Sequence, residues 1–189
     1  MSRILGDVIH LGYVYPDFAA ALARFAAGGI GPFFVMHETE AVSIYRGEQL
    51  PLGMSIAFVY SGDTCLEIIT PHADQQSAYN DFLRHNPHGG LHHIAYHSDD
   101  FAMTLAKMAA IGRPLRVVQE FVTAMGGEPF EIYCEPVGVD DPITFQLLKP
   151  GLFDGWFGSM REAASRWDGT DPIRDAGALL AGALADSAI

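Results

Sequence analysis

The stretch HLGYVYPDFAAAL at residues 10–22 returns as HIAYHSDDFAMTL at residues 93–105. In both, His is followed by an apolar residue, a small residue and Tyr, and Asp-Phe-Ala and Leu recur in the same order. A second pair, LEIITP at 66–71 and FQLLKP at 145–150, sets Glu67 against Gln146. Two matched blocks, in one order and at nearly one spacing, mark a duplicated module.

Each copy has the same internal grammar. Residues 7–14 alternate and are rich in Val, Ile and Tyr, which predicts a strand. Pro16-Asp17 opens a helix that runs to a Gly-Gly stop at 28–29. Strand-like runs follow at 33–37 and 41–46. A hairpin comes next, SIAFVY at 55–60 and CLEIIT at 65–70 around the turn residues SGDT. The second copy reads LHHIAYH as a strand and DDFAMTLAKMAAIG as a helix capped by Asp99 or Asp100. Its remaining strands are LRVVQEFV, PFEIYCEP and ITFQLLK. The predicted class is therefore α+β, with two βαβββ modules forming a curved sheet around a central site.

The modules are expected at 5–71 and 91–150. They are joined by a 72–90 linker holding a short helix and followed by a C-terminal helical extension at 151–189. In that extension Phe153, Trp156, Phe157, Met160, Ala164 and Trp167 recur at helical spacing, and Asp171-Pro172 opens a second, Ala- and Leu-rich helix. These helices are expected to pack outside the sheet or on a partner chain; a lid over the site is the other reading.

Composition narrows the function. Hydrophobic residues make up 49% of the 189, enough for a real core, and charged residues only 18%. The formal net charge of −12 opposes nucleic acid and anionic lipid and suits a cation site. Cys65 and Cys134 each sit in an apolar run and form no disulfide framework. No apolar run approaches the roughly 20 residues that span a bilayer, and no signal-peptide core is visible. A cytoplasmic protein is expected.

Strand parity brings four residues together. Alternate side chains share a face, and the helix must cover an apolar one, so Ile9, Leu11 and Tyr13 go to the helix and His10 to the concave side. The same counting turns Glu67, His93 and Gln146 inward. Two imidazoles, one carboxylate and one amide oxygen suit a divalent Zn, Ni, Co, Mn or Fe ion. His92 falls on the helix side. His97 shares the parity of His93 and is expected at the edge of the hollow, with Phe33, Tyr45, Tyr60 and Phe121 enclosing a substrate; Phe34, Met36 and Met125 lie on or near the same strands.

VIHLGYVYPDFAAAL, CLEIITP, GLHHIAYHSDD, ITFQLLKP and IGPFF at 30–34 together resemble the glyoxalase/bleomycin resistance/dioxygenase families, the vicinal oxygen chelate superfamily. Within it the sequence is most similar to methylmalonyl-CoA epimerases and glyoxalase I-like lyases. The resemblance implies His10, Glu67, His93 and Gln146 as metal ligands, Gln146 standing where the family usually has Glu. It also implies a homodimer. The implied activity is a metal-dependent lyase, isomerase or epimerase that removes a proton next to a carbonyl through a metal-stabilised enolate or enediolate. Glu67 is the first candidate for the base, ahead of Glu131 and Glu135. No Gly-rich phosphate loop or Lys/Arg cluster is present for a CoA or glutathione anion, so the expected partner is a small molecule with an apolar body. A binding or resistance protein of the same fold and an iron-dependent extradiol-type dioxygenase are the alternatives.

Overall fold

The computed structural model describes residues 4–123, 126–140, 143–151 and 153–177. The first module comprises β1 (Val8–Val14), α1 (Phe18–Ala27), β2 (Phe33–Tyr45), β3 (Glu48–Ser61) and β4 (Thr64–Pro71). After α2 (Ala78–His85) the second follows as β5 (Gly90–His97), α3 (Phe101–Ala110), β6 (Leu115–Val122), β7 (Glu131–Pro136) and β8 (Thr144–Leu148). The tail adds α4 (Asp154–Ser165) and β9 (Ile173–Asp175). The repeat extends to the caps: Asp17 accepts from Ala20 N–H at 2.9 Å and Asp100 from Met103 N–H at 2.8 Å. Each satisfies an otherwise orphaned N–H of the first helical turn.

Strand order within the modules is the same, β3-β4-β1 in the first and β6-β7-β8-β5 in the second with β2 beside β3. The modules join twice, β1 to β5 and β2 to β6, both antiparallel. The expected curved sheet thus closes into a barrel of eight strands, with β9 added at its edge. Closure needs β2 to bend. The two runs expected at 33–37 and 41–46 are one strand, broken by a register shift against β3 between Met36 and Thr39, where Glu38 takes φ 49. Such a bulge turns a strand without ending its pairing.

Parity holds on the outer face. Leu11, Tyr13, Leu66 and Ile68 pack with Ala21 and Leu22 of α1. Inside, Tyr45, Leu52, Met54, Tyr79, Phe121 and Tyr133 form a second cluster beside α2. No helix among the described residues is long and apolar enough to cross a membrane.

The tail corrects two expectations. Instead of packing outside, α4 sets Trp156 and Met160 (5% and 0% exposed) against Phe34, Phe58 and Cys65. These inward-facing residues at one end of the barrel need an apolar cover, and burying each large side chain stabilises by roughly 1.5–3 kcal/mol. Residues 173–175, expected in a second helix, are strand β9, parallel to β2 with Phe33 opposite Ile173. The reason is an open edge: β6 pairs only with Val42–Tyr45 of β2, so Phe33 N–H is free to donate to Pro172 O at 2.7 Å. The Ala- and Leu-rich remainder, 178–189, lies outside the described residues.

Candidate metal centre

β1 runs between β4 and β5, and Gly12 is the hinge of the site. Gly12 lies opposite Glu67 on one side and opposite His93 on the other. Lacking a side chain, it lets the His93 imidazole lie over the β1 backbone toward His10. A Cβ here would fall 1.8 Å from His93 Cε1 and 2.0 Å from Nε2, so only Gly leaves room for the imidazole. In the second module Ala95 holds the equivalent place and lies opposite Gln146.

His10, Glu67 and His93 meet in a small triangle. Glu67 Oε2 is 3.2 Å from His10 Nε2 and 3.1 Å from His93 Nε2, and the two Nε2 atoms are 3.4 Å apart. Their residues are 1%, 6% and 0% exposed. A cation about 2.1 Å from three such donors spaces them about 3.0 Å apart at right angles and about 3.4 Å at tetrahedral angles. The triangle lies in that range, so these residues fit a divalent ion. Gln146, also buried, has an Oε1 with no hydrogen-bond partner. Its Nε2 donates to Tyr133 Oη at 2.8 Å, and Tyr79 Oη donates to Tyr133 Oη at 2.7 Å. The amide is thereby oriented with its carbonyl oxygen left over, as a fourth donor would be.

Burial would raise the Glu67 carboxyl, but the imidazoles of His10 and His93 outweigh it and hold the group at about 2. Burial pushes His93 below its ordinary value. His92, expected on the helix side with Ile94 and Tyr96, instead packs against Tyr79 and Phe82 of α2 and near Tyr133. A register shift of β5 against β1 breaks the alternation there. The His92 Nδ1 lies 3.0 Å from His93 Nδ1. One nitrogen must donate and the other accept. With His93 Nε2 facing the triangle as a lone-pair donor, His93 Nδ1–H donates to His92. Replacing His92 with Phe removes that acceptor; with Asn it is retained. We expect divalent-metal affinity to fall about 10–100-fold in His92→Phe, as loss of such a supporting contact does, and to recover in His92→Asn, both read by cobalt titration. Equal affinity in all three proteins would refute the role.

A cavity of about 200 Å³ opens from the triangle, lined by His10, Glu67, Gln146 and Glu131 on its polar side. Burial, and then the neighbouring Glu67 charge, raise the Glu131 carboxyl to about 7, with the polar side chains of Gln146 and Tyr133 partly offsetting them. Glu135 points elsewhere and pairs with Arg116 at 2.9 Å.

Of the expected substrate-enclosing residues, Phe121 lines this cavity and Met36 joins it. The others are corrected. Phe33 has the opposite parity and packs under α1. Tyr45 is buried beside α2, its hydroxyl bound to Asp81. Tyr60 lies behind α4 and donates to Phe157 O at 3.2 Å. His97, at the strand end, is exposed and 3.4 Å from Asp154 Oδ1. Phe34 is covered by α4, and Met125 lies outside the described residues. In their place come Phe153, Trp156 and Phe157 of the tail, the Phe157 ring 6.1 Å from that of His10. Their helical spacing was visible in sequence; which surface they cover was not.

The family model described as the Glyoxalase/Bleomycin resistance protein/Dioxygenase superfamily matches residues 9–143. No match was found among curated proteins. Solved structures of similar chain path include the methylmalonyl-CoA epimerase of Mycobacterium tuberculosis, at 17% identity over 79% of this chain and 91% of that one, TM-score 0.47. A Streptomyces coelicolor methylmalonyl-CoA epimerase in complex with 2-nitronate-propionyl-CoA is 19% identical over 78% and 96%, TM-score 0.47. A mutant of 4-hydroxymandelate synthase from Streptomyces coelicolor is 11% identical over 76% and 48%, TM-score 0.46. At these identities each is a likeness of fold.

Proposed function

Since this chain belongs to the glyoxalase/bleomycin resistance protein/dioxygenase superfamily, we propose that it is a metal-dependent lyase or isomerase acting on a small molecule with an apolar body. The observation that carries this reading is the buried His10–Glu67–His93 triangle, whose ligand atoms lie within 4.8 Å of one another. Those three residues would hold a divalent ion, with Gln146 Oε1 as fourth donor. The ion would supply Lewis acidity toward two adjacent substrate oxygens.

Proton transfer falls to the chain's own carboxylates. Glu67, expected to be the base, is engaged by both imidazoles and held strongly acidic. Glu131 lines the cavity and is not among the ion pairs with His, Lys or Arg found in the described residues. In this reading Glu131 takes the proton from the carbon next to the substrate carbonyl. The C–H electron pair moves into the carbon–carbon bond, and the carbonyl oxygen takes the charge. Return of the proton to either face, or to the neighbouring carbon, yields the epimer or isomer. The test is loss of substrate deuterium in light water, with the label appearing in solvent. Label retained across a panel of α-hydroxy ketones and 1,2-dicarbonyls speaks against it.

An iron-dependent dioxygenase shares one observation: two His and one carboxylate are also the ligands of non-haem iron. Oxygen uptake with catechols by the iron-loaded protein separates that reading. The homodimer is part of the proposal and is checked by light scattering.

Gln146→Glu probes the fourth donor. It adds one negative charge beside the ion, so divalent-metal affinity should rise about tenfold or more, while turnover falls or stays flat as the ion becomes a weaker Lewis acid. Metal titration with unchanged affinity would remove Gln146 from the ligand set.

A further inference from the structure

The α4 aromatics restrict what the site can take. Trp156 and Phe157 stand over the His10 side of the cavity: Phe58 lies 5.3 Å from Phe157 and 5.2 Å from Trp156, ring centre to ring centre. Phe153 joins them through Trp156 at 6.2 Å. The helix is fastened in this position. Trp156 Nε1–H donates to Ala176 O at 3.1 Å, Tyr60 Oη–H donates to Phe157 O, and Arg161 pairs with Asp63. Opposite, Phe121, Phe130 and Tyr133 complete the wall.

Three physical constraints follow. The cavity of about 200 Å³ lies below the roughly 300–1,000 Å³ usual for drug-sized ligands, about the space of seven liquid waters. Its described lining contains no Lys or Arg, and its ionisable side chains other than tyrosine are Glu67, Glu131 and His10. The chain as a whole carries −12, which repels a polyanion before contact. An extended thioester of a phosphorylated carrier therefore has neither the room nor the charge partners it needs. A flat ring between Phe157 and the Phe121–Tyr133 side has both shape and face-to-edge contacts in its favour.

Resting on the metal-dependent reading above, we infer that the occupant is an uncharged monocyclic aromatic compound with two adjacent oxygens on or beside its ring, and that Phe157 of α4 sets this preference. The experiment uses full-length protein loaded with cobalt(II), titrated calorimetrically with 1-phenylpropane-1,2-dione and with propionyl-CoA. Cobalt content is measured first, so failure of the metal reading is seen separately from failure of this one.

We expect the dione to bind at least tenfold more tightly than propionyl-CoA. Phe157→Ala should weaken the dione about tenfold with cobalt content unchanged, and Phe157→Leu should weaken it less, since the leucine still fills the space. Propionyl-CoA binding as tightly as the dione, or no binding of the dione to cobalt-loaded protein, overturns the substrate class. Unchanged dione affinity in both Phe157 variants overturns the role of α4. Should cobalt fail to bind, the metal reading falls. The same two titrations on metal-free protein then decide the cavity claim, with loss of dione binding in Phe157→Ala upholding it and its persistence refuting it.

Discussion

Gly12→Ala should deprive the protein of its cation while leaving the barrel folded. The added methyl would sit 1.8 Å from the His93 ring, a distance no rotamer adjustment of a methyl can relieve. His93 is fully buried between β1 and Tyr133, so the imidazole must swing away from Glu67 and His10. Overpacking of this kind costs roughly 1–3 kcal/mol, within the 5–15 kcal/mol by which domains are typically stable. Cobalt affinity should fall about 100-fold or more, at or beyond the upper end for losing a ligand's support. Thermal unfolding should remain cooperative with a moderately lower midpoint. A folded Gly12→Ala protein with unaltered metal affinity would mean that His93 does not hold the ion.

Glu131→Gln should leave metal binding nearly intact and stop proton exchange. The substitution keeps the size of the side chain and its place on β7 between Phe121 and Leu148. What it removes is the basic oxygen facing the cavity. A positioned acid–base group contributes about 10²–10⁴-fold, so deuterium exchange of a turned-over substrate should slow by about that factor. Glu67→Gln differs in kind: it takes the only carboxylate out of the triangle and should lower metal affinity as well. The pair of variants therefore separates the base from the ligand. Exchange that persists in Glu131→Gln but disappears in Glu67→Gln at saturating metal would return the role of base to Glu67.

The duplicated block was legible because its signals are local. Asp17 and Asp100 cap equivalent helices, and the alternation in residues 8–14 fixes which side of β1 faces α1. His10, Glu67 and His93 follow from that parity alone, since equivalent strands of a repeat approach across a pseudo-twofold axis. Parity says nothing, however, of depth along the barrel. His97 shares a face with His93 yet lies at the exposed end of β5, and Tyr45 points inward but sits beside α2, away from the cavity. Phe33 was a parity error, its run of two Phe offering both faces. The direction of α4 was not legible for a different reason. An apolar helical stripe identifies what must be buried but not which open surface receives it, and that surface appears only once the eight strands close. Gly12 was readable as a strand residue; its role needs the register that sets it between Glu67 and His93.

The central claim is that His10, Glu67 and His93 hold one divalent ion. Elemental analysis of the purified protein, after dialysis against each of several divalent metals, tests it most directly when run beside His10→Ala and His93→Ala. The expected result is about one ion per chain in the parent protein and a nearly complete loss in both variants, each still folded by circular dichroism. Undiminished metal content in both variants would contradict the account.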